Sequence, residues 1–171
     1  MDANELRSLQ APLKEKYKAD AGAALITLKA KGSIDDQSIT CKVDTGRAMA
    51  LAGLHPATGG SGMELCSGDM LLEALVACAG VSLKAVATAI DFPLKSANVF
   101  AEGDLDFRGT LGVDKTAKVG FQAIRLQFEI ETDAPQEKVD QLLKLTERYC
   151  VVYQTLAVTP ALSATIKAQN G

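Results

Sequence analysis

From Ser67 to Ile90 the chain reads SGDMLLEALVACAGVSLKAVATAI, the most apolar helix-length stretch it contains. Ser67 is a good N-cap and Asp69 falls in the first turn, where the helix dipole favours a negative charge, so a helix is predicted to start here. Asp91-Phe92-Pro93 stops it, because proline cannot continue the backbone ladder. A helix this apolar is either buried or spans a membrane. Glu73 and Lys84 inside it, with the capped start, point to the buried core helix of a folded domain. Everything else in the chain must then fold around it.

The remaining segments suit that task. Leu6, Leu9, Leu13 and Tyr17 recur at spacings of three and four, which predicts an amphipathic helical extension over 1–22, interrupted or kinked near Pro12. Ala24–Ala30 and Ser38–Val43 have strand character, the second alternating Ile39, Cys41 and Val43 against polar neighbours, with Lys31–Asp36 as a hairpin turn and Cys41 on the buried face. A short strand is expected over Arg47–Ala52, and Gly53–Gly62 is a glycine-rich loop delivering the chain to the central helix. Ala97, Val99, Ala101, Gly103, Leu105 and Phe107 define a long strand bent at Gly103. After a turn over Gly109–Gly120, Ile124, Leu126, Phe128 and Ile130 define an antiparallel return strand. Thr132 or Asp133 is expected to cap a helix with Val139, Leu142, Leu143 and Tyr149 on one face, and Leu162, Ala164 and Ile166 mark a last strand over Ala161–Lys167. Strands joined by short turns, with helices grouped between them, predict an α+β fold with an antiparallel sheet.

At 171 residues the chain has the length of a single domain, 1–171, able to build its core without cross-links or a structural metal. The formal charge of -3 and the absence of Lys or Arg blocks argue against nucleic acid. Met1-Asp-Ala-Asn-Glu places acids where a secretory signal would be basic, so a cytoplasmic location is expected and no membrane partner. Four cysteines without a Cys-x-x-Cys spacing, and His55 as the single histidine, predict reduced thiols and no metal. Neither a P-loop nor a dinucleotide-binding glycine pattern is present, and no cofactor is expected.

Two thiols lie in contrasting settings. Leu71, Ala74, Leu75, Val81, Ser82 and Ala85 share the helical face of Cys78, and none is a cation. The helix dipole has faded three turns in, so a thiolate at Cys78 needs a cation from another segment or another subunit. Ala77, Ala79 and Gly80 form a small-residue seam that admits another backbone. Cys150, in Glu147-Arg-Tyr-Cys150-Val-Val-Tyr, falls at a helix end beside Arg148, where partly polar surroundings are expected. Burial as two small core residues and service as a reactive pair both fit these residues alone.

The run Ser67-Gly-Asp-Met-Leu-Leu-Glu-Ala-Leu-Val-Ala-Cys78, followed by Glu147-Arg-Tyr-Cys150-Val-Val-Tyr-Gln-Thr-Leu156, resembles the paired cysteine motifs of the OsmC and organic hydroperoxide resistance family, over roughly residues 24 to 168. The resemblance implies an intertwined α+β homodimer with two long central helices and thiol sites at the subunit interface. It further implies that Cys78 attacks an organic hydroperoxide, that Cys150 resolves the sulfenic acid as a Cys78–Cys150 disulfide, and that a dithiol or lipoylated protein reduces it. Family peroxidases carry an activating arginine in the first hairpin and a glutamate ten residues before the first cysteine. Here Lys31–Asp36 holds no arginine, and Gly68 stands at the glutamate position with Asp69 beside it. This places the chain in the broader OsmC-like branch. Arg47, Arg7 and Lys31 are candidate replacement cations, His55 is a loop-ordering residue or general acid, and Glu73 is expected to meet a cation or an interface edge. A dimeric protein that binds a small hydrophobic ligand at its interface without catalysis is the alternative.

Overall fold

A computed structural model describes the backbone of residues 3–34, 41–43, 52–63, 65–166 and 168, with side chains for 8, 10–27, 53–63, 65–166 and 168. Asp35 and Asp36 of the predicted first turn, residues 47–51 of the expected short strand, and the side chains of Arg7, Lys31 and Cys41 lie outside the described residues.

The order is α1 (Ala3–Ala19), a 3-10 turn (Ala21–Ala24), β1 (Leu25–Ile34), β2 (Cys41–Val43), β3 (Ala52–Gly53), a second 3-10 turn (Pro56–Thr58), β4 (Leu65–Cys66), α2 (Ser67–Ala89), β5 (Leu94–Asp106), α3 (Phe107–Thr110), β6 (Phe121–Thr132), α4 (Gln136–Tyr149) and α5 (Val151–Ala157). The α+β architecture is as the periodicities predict. Four strands form an antiparallel sheet in the order β2-β1-β5-β6, while β3 and β4 make a small separate parallel pair. Strand β5 is central, its Ala101 lying opposite Ala30 of β1 on one side and Leu126 of β6 on the other.

Helix α2 lies on this sheet because the two inner faces are complementary in size. Leu72, Leu75, Val76 and Ala79 pack on Val99 and Ala101 of β5, together with Cys150. Each fully buried leucine contributes roughly 1.5–3 kcal/mol of hydrophobic stabilisation. A second cluster joins Leu83, Val86, Ala87, Phe92 and Ala97 to Leu142 of α4, and a third gathers Tyr17, Ala24, Phe107 and Leu111. Ala79 and Gly80 are buried, and Ala79 faces the chain's own core. Of the seam, Ala79 thus packs on this chain's own sheet.

Several local expectations change. Helix α1 continues through Pro12, its C-terminal half held by buried Tyr17, whose hydroxyl donates to Ala57 O at 2.6 Å. Strand β1 extends to Ile34, through the first part of the predicted turn, because Gly32, Ser33 and Ile34 pair with Val43, Lys42 and Cys41. Helix α2 has Cys66 as its N-cap, and Ser67 is already its first residue. Gly103 stays in register, opposite Leu28 of β1 and Ile124 of β6, and the irregularity falls at Asp104/Leu105. A Cβ at 103 would strike the ring of Phe121, so glycine serves a close approach there. Phe107 leaves the strand and opens α3, because the Asp106 carboxylate accepts from the Arg108 N–H at 3.0 Å and turns the chain. Thr132 closes a turn by accepting from Ala134 N–H at 3.1 Å, and Pro135 is the N-cap of α4. On α4, Leu142 and Thr146 are buried, while Leu143 and Tyr149 are exposed. Residues 161–166 carry no strand, and Leu162 and Ile166 stand 85% and 96% exposed. Alternation records a tendency to pair, and pairing needs a neighbour.

Candidate thiol site

Cys150 breaks the helical path between α4 and α5. Its backbone is extended at φ -74° and ψ 105°, with its N–H donating to Thr146 O and its carbonyl accepting from Gln154 N–H, both at 2.9 Å. It therefore ends one helix and caps the next, and its Sγ accepts from the Tyr153 N–H at 3.4 Å. This turn directs the sulfur into the first core cluster, where only 1% of the residue is exposed.

Cys78 meets it from the other side. It sits half-buried on α2, packed against the same cluster, and its thiol is an electrostatic neighbour of Cys150. Burial, and after it the Cys78 neighbour, pushes the Cys150 thiol up to about 11 against the pull of the Tyr153 and Val152 N–H groups. Burial wins, and Cys150 is a protonated thiol at neutral pH. Cys66, Cys78 and Cys150 are all free thiols.

The surroundings of Cys150 are apolar, contrary to the partly polar setting expected beside Arg148. That guanidinium lies over the exposed Tyr149 ring, 5.6 Å from its centre. Nor does Asp69 approach Cys78 along α2: nine residues at about 100° each place it on the opposite side of the helix. Burial raises the Asp69 carboxyl, with His55 opposing the shift, and raises Glu73, assisted by Asp69. His55 has the loop-ordering role. Its Nδ1 accepts from Ala57 N–H at 3.0 Å, its ring stacks on Phe107 at 5.0 Å and 17°, and burial lowers its pKa, so the imidazole is neutral at pH 7.

Two cavities lie along α2. A 540 Å³ groove runs between α2, β6 and α5, lined by Leu71, Leu75, Phe121, Leu126, Tyr153 and Leu156 among others. Leu75 lies one turn before Cys78, and Tyr153 is the residue whose N–H meets Cys150. A second cavity of 370 Å³ holds His55, Cys66 and Phe107 near the start of α2. Among the described residues no cluster of three His, Cys, Asp or Glu side chains could hold a metal ion. Sequence reasoning named both sulfurs but missed the groove and Tyr153. It also missed a polar cluster in which Arg108 grips the buried Asp106 at 2.6 Å and reaches Asp114 at 3.3 Å; the short spacing Asp106-x-Arg108 was its only signal.

The family model of the OsmC-like proteins matches residues 59–164, which include both cysteines. The chain belongs to the OsmC-like family. Its fold is that of the family as well: the crystal structure of an OsmC-like hydroperoxide resistance protein from Jannaschia sp. CCS1 superposes with a TM-score of 0.64, covering 86% of this chain and 97% of that one at 14% identity. No curated protein matches this OsmC-like chain in sequence.

Proposed function

We propose that this OsmC-like protein is a cytoplasmic, homodimeric thiol peroxidase for organic hydroperoxides, with Cys78 as nucleophile and Cys150 as resolving thiol. The observation that carries the reading is the meeting of these two cysteines at one apolar core cluster from distant parts of the chain. The Cys78 thiolate attacks the terminal oxygen of R–O–O–H; the O–O bond breaks, the alkoxide takes a proton and leaves as ROH, and Cys78 becomes a sulfenic acid. Cys150, protonated at rest, gives up its proton as its sulfur attacks the oxidised Cys78; the S–O bond breaks, the proton leaves with the hydroxide as water, and a disulfide forms. An external dithiol, such as a lipoyl group, restores both thiols by exchange. The apolar groove beside the pair suits alkyl or lipid substrates.

A second copy supplies what one chain lacks. The central helix has a mean hydropathy of 1.8, high enough with its length to cross a membrane, yet only 44% of that window is buried. Its uncovered side carries Leu71 and Val81, each 38% exposed, and Cys78 lies at the rim of that face. A partner there would shield the thiol and deliver the activating cation that α2 does not carry. The same groove favours one other reading, a dimeric binder of a small hydrophobic ligand.

The two readings separate on one measurement. One equivalent of an alkyl hydroperoxide added to reduced protein should remove two hydrogens from the intact mass within seconds and link Cys78 to Cys150, and Cys78→Ser should abolish peroxide consumption. Both thiols persisting for minutes at neutral pH would rule out the peroxidase.

A further inference from the structure

The 540 Å³ groove and the 370 Å³ cavity near the start of α2 share a wall, since Leu71, Gly120 and Phe121 line both. Gly120 contributes no side chain, and Leu71 is fixed to α2 and 38% exposed, so the bulk of the partition is the Phe121 ring.

The backbone around that ring holds it in place. Gly120 has φ 102°, a conformation open to glycine and rarely adopted by other residues. Phe121 opens β6 opposite Leu105, where the pairing with β5 is irregular, and such irregularities re-aim side chains. A Cβ on Gly103 would strike the ring, so the ring rests directly on the bare backbone of β5. Two glycines, one on each side of the pairing, thus set one aromatic side chain across the end of the groove.

The spaces that meet at this ring differ in chemistry. The groove has no charged side chain in its lining, and Leu75, Ile124, Leu126, Tyr153 and Leu156 in its walls belong to the core cluster that holds Cys78 and Cys150. Such a lining rewards a hydrocarbon chain by desolvation. Beyond the ring the lining stays largely apolar, with Leu54, Leu105, Phe107 and Val119 around His55. Phe121 and Gln122 also border the polar cavity, but a chain turning that way would strip water from the paired Asp106, Arg108 and Asp114. The favourable continuation of the groove is the His55 cavity, and Phe121 closes it.

We infer that Phe121 sets the length of hydrocarbon chain this protein accepts: the chain of an alkyl hydroperoxide lies in the groove with its reacting end toward Cys78, and the ring stops it short of the His55 cavity. Removing the ring joins the two spaces and admits a longer chain. The inference rests on the peroxidase reading for the reacting end of the substrate, and on the groove alone for its chain.

Ligands that carry the chain without the peroxide separate those two parts. Straight-chain primary alcohols from butanol to decanol, products of the proposed reaction, are titrated into reduced protein by calorimetry. Each added methylene that finds apolar cover strengthens binding about fourfold, so affinity should climb with length and level off where the chain meets the ring. In Phe121→Ala the plateau should move outward by about two carbons, raising the ratio of long-chain to short-chain affinity about tenfold. His55 reports where the added length goes, because as the single histidine it gives one unique set of ring-proton NMR signals. These should shift when decanol binds Phe121→Ala and stay fixed when it binds the parent protein. Phe121→Leu, which keeps an apolar side chain at the core cluster, should show the same displacement at smaller size and serves if the alanine variant does not fold. A plateau at the same length in a folded variant, His55 signals that never move, or no alcohol binding to the parent protein overturns the inference. A displaced plateau in protein whose thiols ignore alkyl hydroperoxides leaves the chain limit standing and overturns the peroxidase.

Discussion

Asp106 and Cys150 are almost equally hidden, at 3% and 1% exposure, yet their acidities move in opposite directions. Arg108 sits two residues from Asp106, grips its carboxylate at 2.6 Å and donates its own backbone N–H as well, and these bonds hold the acid below the ordinary carboxylate range against the cost of burial. Cys150 receives only weak N–H contacts, from Tyr153 at 3.4 Å and from Val152, and no cation among the described residues, and its thiol is raised to about 11, chiefly by burial. Burial sets the sign only where nothing answers the charge. One site is built to keep a charge and the other to keep a proton.

The harshest way to break this contrast is to put a carboxylate where no partner exists. Cys150→Asp should destabilise the chain by roughly 4 kcal/mol at neutral pH, as for an uncompensated buried charge. Because its folded pKa would lie above the unfolded value, stability should recover on acidification, which urea titrations at pH 7 and pH 4 would reveal. Asp106→Asn should cost about 2 kcal/mol through loss of the charged cap and bidentate pair. Here the sign reverses. The native pKa is lowered, so its contribution is present above the unfolded value of about 3.9 and is lost as pH falls through the folded one; the variant should show a flatter acid limb.

Phe121 stands between the two regions, lining the groove beside the thiols and the polar cavity around Arg108. Gly103→Ala should push its ring aside at a cost of about 1–2 kcal/mol, with partial recovery on adding Phe121→Leu, measured by thermal unfolding of single and double variants. The smallest effect sharpens the cause at Cys150. Cys78→Ser should lower the apparent pKa of Cys150 only slightly, since burial is the larger cause, so its alkylation rate should still rise with pH well above neutrality. A fall into the neutral range would show that the neighbouring sulfur, and not burial, controls it.

Much of the fold was legible because it follows from local period. The alternation in β5 and β6, the apolar length of α2 and the pairing of β1 with β2 are properties of adjacent residues, and each appears in the structure. The ends of elements were less legible, because a cap is chosen by where the chain must go next: Cys66, with no side-chain bond to offer, is the N-cap of α2 ahead of Ser67. Residues 161–166 show the same limit in a stronger form. Their period is that of a strand, but a strand is completed by a neighbour, and no local pattern says where that neighbour lies.

Read alone, the residues specify a buried apolar helix over an antiparallel sheet and two cysteines in the OsmC-like order. Hydrophobic period and motif are one-dimensional properties, and they survive being read as such. The meeting of Cys78 with Cys150, the apolar setting of Cys150 despite Arg148, and, among the described residues, the partly exposed face of α2 and the unpaired edge of the sheet emerge only when the chain is folded. Contact, desolvation and exposure depend on which distant segments fold back on one another.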